Sequence, residues 1–245
     1  MGFMTVGYDW TESSSYGVMR GFSIQFALTP FETIKNRQQC NPKPCYLIAR
    51  EIIQKEGYLA LYRGFPPKLV QTCFKQAWIW PVITGEIFKE WNLPKLTEQA
   101  AIGLTIASVD STLGVIFEKS RIRSNVSGTT EFCLRINWKE YTANWKKLAM
   151  HWPPGLVLQQ FFRDLNRKSP DQSLTLPQIA ITGIETAIPI SPFTNYFDTR
   201  NTLIQAGRPL PENLLFYSFR VLPIHILMLT IHTTTAIFFL EKLQK

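Results

Sequence analysis

Acidic and basic side chains stand at a regular spacing just after a mostly apolar run, in the stretch TPFETIKNRQQ at residues 29–39. Pro30 is followed two residues later by Glu32, and Lys35 comes three residues after Glu32. On a helix this spacing places the carboxylate and the ammonium group on nearby faces. A proline is tolerated in a membrane helix because neighbouring helices can bind the carbonyl that it leaves without a donor. The chemistry that these residues offer is therefore the formation of ion pairs.

The sequence offers no pattern typical of catalysis or cofactor binding. It contains no nucleophile elbow, no phosphate-binding glycine loop and no cluster of metal ligands. Its three histidines are few and lie far apart in the sequence. We therefore predict that the protein is not an enzyme and that it uses no cofactor and no metal ion.

The charged stretch recurs along the chain, which indicates an internal repeat. A second copy, IFEKSRIR, begins at Ile116, 86 residues after Pro30. A third and weaker copy begins at Pro192, after another 76 residues. Double prolines recur as well, in FPPKLV at 65–70 and in WPPGLV at 152–157. The chain is therefore predicted to contain three related units.

Small residues recur at fixed distances before each copy. Gly21, Ala107 and Gly183 each stand nine residues before the start of a copy, and Gly17 and Gly103 stand thirteen residues before. Small residues one helical turn apart let membrane helices pack closely. We expect close helix contacts at these positions.

The hydrophobic pattern predicts helices separated by turns rich in proline and glycine. The predicted helices cover residues 13–39, 46–55, 66–91, 96–123, 138–150, 153–168, 176–204 and 214–245. Residues 124–137 are predicted to form an irregular loop. The third unit is expected to lack most of the short helix that the first two units have.

The composition suggests anionic partners. Of the 245 residues, 18% are charged and 13% are aromatic, and the formal net charge is +8. A positive charge favours acidic lipid, anionic solutes or nucleic acid as partners. Because lysine and arginine are spread through the chain, we expect no nucleic acid. The four cysteines form no CxxC pair and are predicted to be free thiols.

The first copy resembles the signature of the mitochondrial carrier family throughout. That signature has a proline, an acid and two bases on one helix, then Glu-Gly, then an aromatic residue, a base and a glycine. This sequence has Pro30, Glu32, Lys35, Arg37, Glu56, Gly57, Tyr62, Arg63 and Gly64 in those places. The resemblance is strong in the first copy, fair in the second and poor in the third.

The resemblance implies an all-α membrane protein with six transmembrane helices in three tandem, pseudosymmetric repeats. The repeats would cover residues 12–92, 93–170 and 171–245. It also implies a multi-pass location in the mitochondrial inner membrane, in contact with lipids that include cardiolipin. No leader is visible at the N-terminus, so import is expected to use internal signals.

The resemblance implies a gate on the matrix side formed by Glu32, Lys35, Glu118 and Arg121. In the family the acid of one repeat pairs with the base of the next, and three such bridges close a ring. Glu32 and Arg121 can form one bridge here. The third copy has Thr194 where its acid is expected and Phe197 where its base is expected. Asp198 and Arg200 lie near these positions but out of register, so we expect one bridge of the three unless Asp198 or Arg200 substitutes.

A second gate is implied on the opposite side, near the ends of the even transmembrane helices. Glu86 with Lys89, and Glu241, are the approximate candidates. The fourth transmembrane helix offers no convincing one.

For a solute, the resemblance maps contact points onto the even transmembrane helices. The substrate-binding candidates are Gln71, Lys75, Gln159, Gln160, Arg163 and His225. Arg20 and Arg220 are further cations that could attract an anion, and Asp110 and Glu185 could pair with the cations. The alternative for each base is a bridge between helices or an extended side chain that reaches the lipid headgroups.

Two functions remain open. The first is a carrier that moves a small anionic metabolite, such as a nucleotide, by alternating access. The second is a carrier-fold protein that no longer transports and serves as a structural subunit of a large inner-membrane assembly, such as a respiratory-chain complex. The intact first copy favours the carrier, and the degenerate third copy favours the subunit.

Overall fold

The computed structural model describes residues 10–84, 91, 93–127, 137–167 and 173–243. Within these ranges the regular structure is helical. The longer helices are α1 (Trp10–Cys40), α3 (Phe65–Thr84), α4 (Lys95–Ser127), α6 (Trp152–Asn166), α7 (Leu176–Gln205) and α9 (Leu222–Leu243). The shorter ones are α2 (Cys45–Glu56), a 3-10 helix (Tyr58–Tyr62), α5 (Trp138–Ala149) and α8 (Leu214–Phe219).

Local sequence signals determine several helix ends. α5 begins with a capping box, in which Asn137 and Glu140 each bind the other's backbone N–H. α6 carries proline in its first turn, where a missing N–H costs no helical hydrogen bond. α2 ends before Gly57, whose φ of 81° is readily adopted only by glycine.

The predicted loop at 124–137 is wrong in its first part. α4 continues to Ser127, so that the helix includes Asn125, whose carbonyl accepts a hydrogen bond from Arg37. Residues 128–136 lie outside the described part of the chain.

The predicted helix at 214–245 is divided in two. α8 ends at Phe219, and α9 begins at Leu222 after a turn. Pro223 accounts for the break, because it has no N–H to donate to the carbonyl of Phe219. α8 has 6 residues, against 12 in each of α2 and α5, so the short helix of the third unit is indeed reduced.

The longer helices pack in sequence order around a common interior. α1 lies along α3, α4 along α6, and α7 along α9. These pairs contact one another through α3 with α4 and through α6 with α7. The last helix returns to the first, because α9 packs against α1.

The close helix contacts expected at the recurring small residues are confirmed. A Cβ atom on Gly17 of α1 would lie 2.3 Å from the Trp80 side chain on α3. A Cβ on Gly183 of α7 would lie 2.0 Å from Thr234 Oγ1 on α9. Gly103 of α4 similarly approaches the backbone at the start of α6. Each pair of helices therefore crosses where a glycine permits it.

Within the described residues, one helix is long and apolar enough to cross a membrane by itself, at Leu222–Glu241 in α9. α4 is a second candidate if its two halves, bent by 65° between Thr112 and Gly114, are taken as one span. The other long helices carry polar side chains that lower their mean hydropathy. In α1 these polar groups are buried, as Arg20 and Gln25 show, while Phe22 and Phe26 are exposed.

We predict that Gly103→Ala lowers the stability of the fold, because the new methyl group would lie 2.5 Å from the Cα of Pro153. Overpacking of this kind costs about 1–3 kcal/mol. The matched control is Gly155→Ala, whose Cβ would meet only Ile190 at 3.7 Å. Thermal unfolding of the detergent-solubilised protein measures both. Equal unfolding temperatures for Gly103→Ala and the parent protein would contradict the prediction.

Candidate functional site

The predicted ion pair between α1 and α4 is confirmed. Arg121 Nη1 lies 3.0 Å from Glu32 Oε2. The same guanidinium also binds Glu118 on its own helix, with Nη2 2.7 Å from Oε1. The side chains of Arg121 and Glu118 are each 4% exposed. Three of the four residues that the sequence assigns to a gate therefore form one buried cluster.

Asp198 of α7 supplies the acid that appeared to be missing from the third unit. Its Oδ2 lies 2.7 Å from Lys35 Nζ on α1, and it also accepts a hydrogen bond of 2.9 Å from Gln39. Asp198 comes four residues after Thr194, so both lie on the same face of α7, one turn apart. Asp198 therefore substitutes for the missing acid, which the sequence left open, because it lies one helical turn from the expected position.

Lys147 of α5 supplies the missing base. Its Nζ lies 2.5 Å from Glu118 Oε1 and 3.0 Å from Asp198 Oδ1. α5 is held in place by the buried ion pair between Glu140 and Lys119 of α4, at 2.8 Å. A residue of a short helix therefore joins the second and third units.

Together these contacts form a continuous series of ion pairs that starts and ends on α1. We call its six members the ion-pair ring: Glu32, Arg121, Glu118, Lys147, Asp198 and Lys35. Their side chains are between 4% and 20% exposed. Loss of one partner from such a buried set leaves a charge without compensation, which is more costly than the pair is stabilising.

A cavity of about 170 Å³ lies beside the ion-pair ring. Beyond the six ring residues, its lining comprises Leu28, Lys68, Gln71, Lys75, Asp110, Asn144, Leu148, His151, Trp152, Thr194, His225, Met228, Leu229 and His232. Five of the lining residues are lysine or arginine and four are carboxylates. The cavity therefore has nine charged side chains in its lining, with a small excess of positive charge when histidine is neutral.

Three of the six predicted solute contacts line this cavity, namely Gln71, Lys75 and His225. Lys75 forms an ion pair with Asp110, as expected, and its ammonium group lies 5.1 Å from the centre of a Trp152 ring. Gln71 donates a hydrogen bond of 3.2 Å to the carbonyl of Gly114. His225 Nε2 lies 2.9 Å from the hydroxyl of Thr194.

The other three, Gln159, Gln160 and Arg163, are not among the residues that line this cavity. Gln160 donates to Asp164 on its own helix at 2.9 Å. Arg163 binds Glu241 of α9 at 2.7 Å. The side chains of α6 beyond its first turn thus serve other contacts.

Glu241 is the centre of a second ionic cluster, which joins α6 to α9. It also binds Arg167 at 2.8 Å and accepts a hydrogen bond of 3.0 Å from the backbone N–H of Leu174. Glu241 lies 16 residues after His225, hence about 24 Å further along α9. α6, for which the sequence offered no convincing gate candidate, therefore does supply a partner for Glu241 at this end of α9. Glu86 and Lys89 lie outside the described residues.

Two further cations act as bridges or surface contacts. Arg20 joins three helices, with hydrogen bonds of 3.2 Å to Gln76 Oε1 on α3 and 3.1 Å to the carbonyl of His232 on α9. Arg220 lies 5.9 Å from the centre of the Phe216 ring. Glu185 accepts a hydrogen bond of 2.7 Å from Asn166 and not from a base.

Sequence reasoning missed several polar residues of the cavity. Lys68 directly follows the recurring double proline, so the repeat itself was a usable signal. His232 follows His225 by seven residues, a spacing that places both on one face of a helix. Lys147 and His151 gave no such signal, because the position of α5 depends on tertiary contacts.

A group of three charged side chains, Arg37, Glu56 and Arg63, connects α1, α2 and the turn before α3 in the first unit. Glu56 at the end of α2 binds Arg37 Nη2 of α1 at 2.9 Å and also pairs with Arg63. Gly64 follows with a φ of 79°, and a Cβ there would lie 2.5 Å from Asn125 Oδ1. The chain can therefore pass close to α4 and start α3 only with glycine at this position.

Residues 7–91, which include these ionic contacts, match the family model for mitochondrial carrier proteins. The match covers 85 of the 245 residues and supports membership of the mitochondrial carrier family. Members of this family are transporters rather than enzymes, typically with several helices in the mitochondrial inner membrane. A search of curated proteins gives no match to this chain.

We predict that Asp198→Asn destabilises the protein by about 3–5 kcal/mol, because it removes the buried carboxylate that pairs with Lys35 and leaves Lys147 paired with Glu118 alone. Asp164→Asn is the matched control, since Asp164 is exposed and bonds only to Gln160 among the contacts seen. Thermal unfolding in detergent compares the two variants. A similar small loss of unfolding temperature in both variants would contradict the prediction that the ion-pair ring stabilises the fold.

We also predict a pH dependence at Glu56. The hydrogen bond from Arg37 holds the pKa of this carboxyl below its usual range. The ionised Glu56 carboxylate therefore contributes its full stabilisation above the pKa of glutamate in the unfolded chain, about 4.3. This stabilisation is lost as the pH falls through the lower pKa of Glu56 in the folded protein. Glu56→Gln should unfold a few degrees below the parent at neutral pH, on the order of 2–4 °C. This difference should shrink below about pH 4, and a difference that grows there would refute the assignment.

Proposed function

We propose that this chain is a carrier that moves a small anionic solute across the mitochondrial inner membrane by alternating access. In this proposal the ion-pair ring is the gate on the matrix side, and the cavity beside it is the solute site. The observation that carries the proposal is the polar cavity bounded by a series of six linked charges.

The distribution of side chains supports six membrane-spanning helices in three repeats. Phe22 and Phe26 on α1, Phe74 on α3 and Ile184 and Ile188 on α7 are exposed. Polar and charged groups of the same helices are buried in the interior. A soluble protein rarely has this inverted arrangement, whereas lipid contact accounts for the apolar exterior. The low mean hydropathy of these helices then reflects their wet inner faces.

The size and charge of the cavity indicate the class of solute. Its volume of about 170 Å³ is below the roughly 300–1,000 Å³ of sites for drug-sized ligands. Lys68 and Lys75 are its cations on α3, about two helical turns apart. The arrangement favours inorganic anions and short carboxylates over a nucleotide in this conformation.

The structural-subunit function is the second candidate, and α8 favours it. The short helix places Leu215, Phe216 and Phe219 at 56%, 63% and 49% exposure. Such a patch is suited to contact with another protein. This candidate requires the protein to co-purify in fixed stoichiometry with an inner-membrane complex and to transport none of the test anions.

We predict that protein reconstituted in liposomes takes up at least one of phosphate, sulfate and malate, and that Lys75→Ala reduces this uptake about 10–100-fold. The reduction corresponds to loss of one charge-assisted hydrogen bond to the anion. Lys139→Ala, a change at an exposed lysine on α5, should retain uptake.

Folding must be measured in the same preparations, because Lys75→Ala leaves Asp110 without its partner. The double variant Lys75→Ala, Asp110→Ala removes both charges and should regain thermal stability without regaining uptake. No uptake of any test anion by the folded parent protein would contradict the carrier function.

A further inference from the structure

All three histidines of the chain line one cavity. His151 precedes α6, whereas His225 and His232 lie on α9. They are up to 81 residues apart in the sequence, and no repeat relates them. The three histidines, which lie far apart in the sequence, therefore come together around one cavity in the fold.

Two of these histidines form a pair. The rings of His151 and His232 lie with their centroids 6.5 Å apart and their planes at 74°. His225 is separate, since its Nε2 is engaged with the hydroxyl of Thr194 at 2.9 Å. Two imidazolium ions this close repel each other, so the pair can readily hold one proton but not two.

Charged groups reach the histidine pair from every surrounding element. These groups are Arg20, Glu32 and Lys35 of α1, Lys68 and Lys75 of α3, Asp110, Glu118 and Arg121 of α4, Lys147 of α5, Asp198 of α7 and, as a further titratable group, His225 of α9. Arg20 donates directly to the backbone carbonyl of His232. Asp110 is already paired with Lys75, and Asp198 with Lys147 and Lys35. Lys68 lies 3.9 Å from Glu118, and the hydrogen bonds seen for Arg20 are to Gln76 and His232. The cations around the pair outnumber the carboxylates and thus repel a proton on it.

We propose that His151 and His232 form a proton-binding site that couples the binding of an anion in this cavity to the uptake of one proton. The inference rests on the proposed carrier function and adds the coupling ion to it. Imidazole is the side chain that changes charge near neutral pH. No metal ion and no covalent step is involved.

The coupling follows from electrostatics. An anion bound beside the pair would offset the repulsion between a protonated imidazole and the neighbouring lysines. Binding of the anion therefore raises the affinity of the pair for a proton, and the proton raises the affinity for the anion by the same factor. One fully linked proton changes the apparent affinity for the anion by about tenfold per pH unit above the pKa of the pair.

The test is uptake of radiolabelled phosphate and sulfate into liposomes between about pH 6 and 8, the range in which imidazole titrates. A pH-sensitive dye inside the liposomes reports proton entry. The parent protein should take up one proton with each sulfate, and its apparent affinity should rise about tenfold per pH unit as the pH falls. Sulfate is needed because phosphate itself titrates in this range.

The double variant His151→Gln, His232→Gln should lose proton entry and show pH-independent affinity for sulfate, at whatever rate it transports. The matched control is His225→Gln, the same change in the same cavity, which should retain the pH dependence. If sulfate or phosphate enters without a proton, or if the double variant keeps the pH dependence, the inference is overturned while the carrier function stands. If neither anion enters or stabilises the parent protein at any pH, both fail.

Discussion

The contacts of Asp198 hold the interior of this protein together. One buried carboxylate binds a lysine of α1 and a lysine of α5, so three parts of the chain distant in sequence meet at a single group. The remaining ring members connect these parts to α4 through Arg121 and Glu118. Because each charge pairs with a ring member on a neighbouring helix or on its own, the helices cannot separate at this end without breaking several ion pairs together. This property is what a gate requires, and it also explains why loss of one member should be costly.

The other helix contacts enclose these charges in the interior of the bundle. The long helices turn polar groups inward and apolar groups outward, and they approach one another closely at glycines such as Gly17 and Gly183. A second cluster around Glu241 joins α6 to α9 about 24 Å from the level of His225. The polar cavity lies beside the ring, and the three histidines converge there. A solute site of this kind needs side chains from many helices, which is why no short motif encodes it.

Much of this arrangement was predictable from the sequence, for identifiable reasons. The Glu32–Arg121 pair and the glycine contacts follow from a repeat with constant spacing, since equivalent positions on equivalent helices meet. Asp198 could be named only as a possible substitute, because the repeat compares single positions, whereas residues three or four apart share one face of a helix. Lys147 could not be found in this way, because its position depends on the contact of α5 with α4 through the Glu140–Lys119 ion pair. Arg163 forms a bridge between helices with Glu241 on α9, the alternative that the sequence left open for each base.

The most direct test of the ion-pair ring is a double-mutant cycle between Lys35 and Asp198, measured by thermal unfolding in detergent. The cycle comprises Lys35→Gln, Asp198→Asn and the two changes together. If the pair is coupled as described, the double variant is destabilised by less than the sum of the single variants, with a coupling of about 1–3 kcal/mol. Additive effects within about 0.5 kcal/mol would contradict the account, because they would mean that Asp198 does not complete the ring.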